Sequence, residues 1–135
     1  MSTVTIITPW LNHPEYIPDY KQATTGARVI IVDSGSTPRN RKKLIAAFGK
    51  DAVLTPPAAL TLGFGGLCNY GYAHVAWGAG RRHDIIAFAN NDIKLAAGAK
   101  AGDPVAEMVR FATRNLTLYG PEMSARAIGG LILPF

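Results

Sequence analysis

Residues 84–92 read DIIAFANND. The apolar run Ile85–Ala89 is short, and it ends in two amides and a carboxylate at Asn90, Asn91 and Asp92. A run of this length, rich in β-branched and aromatic residues, predicts a buried strand over 84–90 rather than a helix. In an α/β protein the carboxyl end of a buried strand is where ligands gather, because the loops leaving it open a crevice over the sheet. The polar triplet is therefore placed where a site is expected.

Working outward from it, two more runs have the same character. VTIITP (Val4–Pro9) predicts a strand closed by a proline, and ARVIIVD (Ala27–Asp33) a strand followed by the turn-rich SGSTPRN. A helix is expected from Thr37 or Pro38 through RKKLIAAF to a stop at Gly49. AVLTPP (Ala52–Pro57) reads as a brief third strand. A helix from about Leu67 to Trp77 follows, with Leu67, Tyr70, Ala73, Val75 and Trp77 toward the sheet and Gly78 and Gly80 as stop signals. Beyond Asp92, an Ala- and Gly-rich loop leads to a helix from about Pro104 to Arg114 with Asp103 as its N-cap. LTLYGP and AIGGLILPF read as two last strands or extended segments. Alternating strands and helices predict an α/β fold, a mostly parallel sheet with flanking helices.

With 135 residues, 48% hydrophobic and 17% charged, residues 1–135 are expected to form a single domain. No stretch reaches the ~18 apolar residues of a membrane span, so no transmembrane segment is expected. The opening MSTVTIITPW lacks the basic region of a secretory signal, which makes cytoplasmic the default location. Cys68 stands alone and reads as a buried thiol. His13, His74 and His83 have no metal-ligand spacing to one another. The net charge of +5 draws on RNRKK at 39–43 and on Arg81 and Arg82. Such an excess attracts nucleic acid, acidic headgroups or a diphosphate without choosing among them. RNRKK lacks the interleaved aromatics of a nucleic-acid surface, so no nucleic acid is expected and the run reads as a solvated first turn of a helix.

Three strand ends carry the polar residues: TPWLNH at 8–13, DSGS at 33–36 and NND at 90–92. In a parallel sheet they meet on one edge. Asp33 can accept hydrogen bonds from a base or ribose, and Asp92 offers hard oxygens suited to Mg²⁺ or Mn²⁺ on a diphosphate. Each also fits a plain turn: Asp33 as a turn and helix cap, Asn90–Asp92 as an Asx-rich turn. Gly63, Gly65 and Gly66 would let backbone approach a ligand, but they match neither a Walker loop nor the dinucleotide fingerprint.

Taken in order, VTIITPWLN, VIIVDSGST, LGFGGLCNYGYAHV and IIAFANND resemble the N-terminal half of family 2 glycosyltransferases of GT-A fold. That family shows a strand ending in Pro and Asn, an IVVDNGSTD-like segment, an NLGFAGGNNRG-like segment and an LLNND-type form of its metal motif. The resemblance covers roughly residues 3–95, with four motifs in the family's order and spacing. It implies a site for a nucleotide-diphosphate sugar, a sugar transfer to an unknown acceptor, and a divalent metal, Mn²⁺ or Mg²⁺. By position, Pro9, Trp10 and Asn12 would line the nucleotide pocket and Asp33 would contact base or ribose. Gly63, Phe64, Gly65, Gly66 and Asn69 would pass close to the nucleotide sugar, Asp92 would ligate the metal, and Asn90 and Asn91 would shape its surroundings.

The family's catalytic base is an Asp or Glu in the half after the metal motif. Here 43 residues follow Asp92 (135 − 92), with Asp103, Glu107 and Glu122 as their carboxylates, and the family's ED-type segment is not among them. The expectation is a truncated GT-A-like domain whose acceptor and catalytic-base part is absent, with no catalytic residue assigned. A reduced module that binds nucleotide or nucleotide sugar without transfer is the alternative. A flavodoxin-like receiver built on Asp33 is a third reading, but it lacks the further acidic cluster and the downstream Lys. The apolar GGLILPF further predicts a homo-oligomer, with Leu131–Phe135 at or beside its interface.

Overall fold

The computed structural model describes residues 3–57, 62–77 and 85–119. Strand β1 (Val4–Trp10) is followed by a 3-10 turn at Pro14–Tyr16 and helix α1 (Ile17–Ala23). Strand β2 (Arg28–Asp33), helix α2 (Pro38–Phe48) and the two-residue strand β3 (Val53–Leu54) come next. Helix α3 (Phe64–Trp77), strand β4 (Ile85–Phe88) and helix α4 (Asp103–Tyr119) complete the described elements. The α/β alternation expected from the sequence is present, and where a mostly parallel sheet was expected the four described strands are all parallel.

The strands lie in the order β3-β2-β1-β4. β1 is central, in register from Thr5 on Arg28 to Trp10 on Asp33, and from Val4 on Ile85 to Ile7 on Phe88. A parallel strand covered on both faces is apolar throughout, and β1 accordingly buries all of its residues but Pro9, which is half-buried. Successive side chains serve opposite faces. Trp10 and Ile31 pack with Tyr20 of α1 and Leu44 of α2, while Ile7, Ile30 and Val32 pack with Leu67 and Val75 of α3. Helix α4 brings Val105, Met108 and Ala112, spaced at i, i+3 and i+7, against Val4, Ile6, Ile85 and Ala87. The helices joining β1 to β2 and β3 to β4 thus lie on opposite faces. The winding reverses at β1, and such a reversal opens a crevice at the carboxyl ends of the strands on either side.

Several boundaries differ from expectation. Helix α1, which no periodic run announces, starts at Ile17 with a proline in its first turn. Helix α3 begins at Phe64, three residues before the expected Leu67, so that Gly65 and Gly66 are helical. On its sheet side stand Leu67, Cys68, Gly71 and Val75, whereas Ala73 is exposed. Helix α4 includes Asp103 and runs past Arg114 to Tyr119, so the start of LTLYGP is helix and not strand. The glycine stop after α3, the remainder of LTLYGP, AIGGLILPF and the oligomer contact at Leu131–Phe135 lie outside the described residues. No helix among the described residues is long and apolar enough to cross a membrane.

Candidate functional site

The carboxyl ends of β1 and β2 are knitted together by side chain to backbone bonds. Asn12 and His13 both adopt the left-handed region, at φ 53° and 50°. Consecutive non-glycine residues there are strained, and they persist only where the surroundings over-determine them. Asn12 is held from three sides. Its Oδ1 accepts from the Thr37 amide and from Asn40 Nδ2, each at 3.0 Å, and its own N–H donates to Ser36 Oγ at 2.7 Å. The Asn12 carbonyl takes the indole N–H of Trp10 at 2.5 Å. Ser34 donates its amide and its hydroxyl to the Trp10 carbonyl at 2.8 and 3.1 Å. Trp10 itself is buried and meets Tyr20 edge-on, with ring centroids 5.1 Å apart.

The Asp33 carboxylate is turned inward. The side chain is fully buried, and Oδ1 accepts from the Gly35 amide at 3.3 Å and the Ser36 amide at 2.9 Å. Oδ2 takes Arg41 Nε at 2.7 Å. Burial pushes this carboxyl up, but hydrogen bonds from Ser36 and Arg41 and the charge of Arg41 outweigh it and hold the carboxyl below its ordinary value. The oxygens that the resemblance assigns to a base or ribose are here used inside the β2–α2 turn, as the turn and helix cap that the sequence also offered.

Above this frame lies a cleft of about 350 Å³ between the ends of β1 and β4. Of the expected residues, Pro9, Trp10, Asn12, Phe64, Asn90 and Asn91 line it. Leu11, His13 and Ser34, which lie in the polar strand ends but were given no role of their own, line it too. Phe64 is the first residue of α3, and the Leu67 amide closes that helix's first turn on the Gly63 carbonyl at 2.9 Å. Gly63, Gly65, Gly66 and Asn69 sit on or just before the same helix without lining the cleft, and Asn69 is exposed. Asp92, exposed in the turn after β4, lies beyond the lining residues. His13 Nδ1 pairs with Glu15 Oε1 at 2.7 Å, and its ring stacks on Tyr16 at 4.9 Å. The left-handed turn that brings His13 to the cleft is held by residues 24 to 28 positions away, which the linear pattern does not connect, so the sequence carries no signal for it.

A second hollow, about 850 Å³, opens at the opposite edge of the sheet, lined by the ends of α1 and α2 and by Val75 of α3. The helices present their carbonyl ends there, which repel anions. Lys21 answers that polarity by donating to the Ala47 carbonyl at 2.9 Å. The smaller cleft, where amide ends and polar side chains converge, is the better candidate. No family of known proteins, no curated protein and no solved structure matches this chain.

Proposed function

We propose that the cleft binds a nucleotide-diphosphate sugar and that the protein is a glycosyltransferase of the family 2 type. The observation that carries the reading is the cleft at the winding reversal, with Asn90 and Asn91 on one wall and the amino end of α3 beside it. Phosphates are favoured at such helix starts, because the first amides are unpaired and the helix is positive at that end. Gly65 carries no side chain and has open space where a Cβ would stand, which leaves its backbone accessible. Pro9, Leu11 and Phe64 supply apolar surface for a ring, and Asn90 and Asn91 supply amide groups that donate and accept.

A divalent metal fits these residues only in part. Among the described residues no three His, Cys, Asp or Glu side chains form a group able to hold one. Asp92 is a single exposed carboxylate that follows the lining residue Asn91 in the chain, and Mg²⁺ is commonly held by one or two carboxylates plus substrate phosphates. When bound, the ion would offset charge gathering on the departing diphosphate. Asp92 would hold it, and Asn90 and Asn91 would orient the diphosphate beside it.

Calorimetry with UDP, GDP and dTDP, with and without Mn²⁺ or Mg²⁺, tests the reading. Metal is expected to strengthen binding about tenfold, roughly 1.4 kcal/mol, and Asp92→Ala to abolish the gain. Metal-independent binding unchanged by the substitution would remove Asp92 from the site. The exposed position of Asp92 outside the cleft lining favours a second reading, nucleotide binding without transfer. Hydrolysis of a UDP-, GDP- or dTDP-sugar, followed as release of the diphosphate, separates the two.

A further inference from the structure

Helix α2 carries charge of the sign its position disfavours. The amino end of a helix favours anions, yet the first turn of α2 contains no acidic residue and opens with Arg39 and Arg41. Lys42 and Lys43 extend the run along the next turn. Arg41 is neutralised by Asp33. Arg39 and Lys42 are exposed and have no ion-pair partner among the described residues. Local stability does not account for them.

Their position relative to the cleft does. The first turn of α2 is fastened to the cleft wall, since Asn12 accepts from Thr37 and Asn40 at 3.0 Å each. Arg39 directly precedes Asn40, and Lys42 and Lys43 follow it by two and three residues, so the exposed cations begin where α2 is joined to the cleft wall. Exposed charges act over roughly a Debye length, ~8 Å at physiological salt, so this field reaches a ligand that is entering.

We propose that the cationic face of α2 is the approach surface for the phosphate-bearing ligand of the cleft, speeding its capture rather than tightening its final hold. The proposal rests on the nucleotide-diphosphate reading above. Rim charges of this kind change association rates and salt dependence, while dissociation is governed by the desolvated contacts within a site. The ligand class is a polyanion small enough for the cleft, a nucleoside diphosphate or inorganic pyrophosphate.

Stopped-flow association of a fluorescent nucleoside diphosphate, with inorganic pyrophosphate as a competitor, is measured over a salt series on the parent and on an Arg39→Gln, Lys42→Gln variant. Gln keeps helix propensity, and a melting curve reports folding. The expected result is an association rate that falls with salt, falls about threefold or more in the variant, and loses its salt slope there, while dissociation and melting temperature hold. Equal association rates in parent and variant would overturn the proposal. Capture of pyrophosphate with this charge dependence, without binding of any nucleotide, would keep the approach surface and remove the nucleotide reading. Binding of neither would remove both. Loss of binding to phosphatidylglycerol vesicles in the variant, with nucleotide association unchanged, would assign the face to a membrane surface instead and overturn the proposal.

Discussion

Asp33 couples a strand end to a helix start through one buried carboxylate, and its stabilising effect depends on its charge. Its folded-state pKa is depressed, so its contribution is complete above the unfolded value, about 3.9, and is lost as pH falls through the lower folded value. Asp33→Asn keeps an oxygen for the Gly35 and Ser36 amides but gives up the charge opposite Arg41. Because Arg41 is 37% exposed, solvent screens the pair, and a cost of about 1–3 kcal/mol at pH 7 is expected. Urea denaturation at pH 7 and pH 3 checks this. The gap between parent and variant should narrow at the lower pH, and a gap that stays constant would mean that the pair's charge contributes nothing. At the same scale, Cys68 is buried and its thiol is pushed up to about 11, in keeping with the packed thiol read from the sequence.

At the scale of elements, α3 approaches the sheet through a glycine. A Cβ on Gly71 would lie 2.6 Å from Ile7 Cγ2 and 2.9 Å from Val32 Cγ2, both β-branched side chains of central strands with no rotamer freedom to retreat. Gly71→Ala is therefore expected to destabilise by about 1–3 kcal/mol despite the better helix propensity of alanine, and a denaturant midpoint measures it. Helix α3 also shows where the sequence was legible. The buried strands were readable because VTIIT, VIIV and IIAF are continuous apolar runs, as parallel strands covered on both faces must be. The start of α3 was not, because LGFGG has the composition of a loop and becomes helical through packing of Leu67 and Gly71 against Ile7 and Val32. Helix α1 was hidden for a similar reason: a seven-residue element with a proline in its first turn draws its stability from Tyr20 beneath Trp10. Of the site, the strand ends at Asn12 and Asn90–Asn91 were visible as polar breaks. The inward turn of Asp33 was legible as one of two readings, a turn and helix cap, but its pairing with Arg41 was not, since Arg41 reads equally well as a solvated cation.

Over the whole molecule, stability is graded from the middle of the sheet outward. β1 is paired on both sides, whereas β3 is two residues long and β4 pairs on one side with β1 alone among the described strands. Native-state hydrogen exchange should find the slowest amides in Ile6, Ile7, Ile30 and Ile31 and faster exchange at Val53 and Leu54. Equal protection across all four strands would contradict this gradation. The central place of β1 has a further consequence during synthesis. Its partner β2 ends at Asp33, but β4 begins only at Ile85, 52 residues later (85 − 33). At about 5–20 residues per second the ribosome takes roughly 3–10 s to cover that distance. For that interval β1 can be paired on one side while its other edge, Val4–Ile7, waits with unpaired amides and carbonyls. The wall of the cleft that carries Asn90 and Asn91 is therefore the last to be built, and the cleft is complete only after the edge most open to wrong partners has closed.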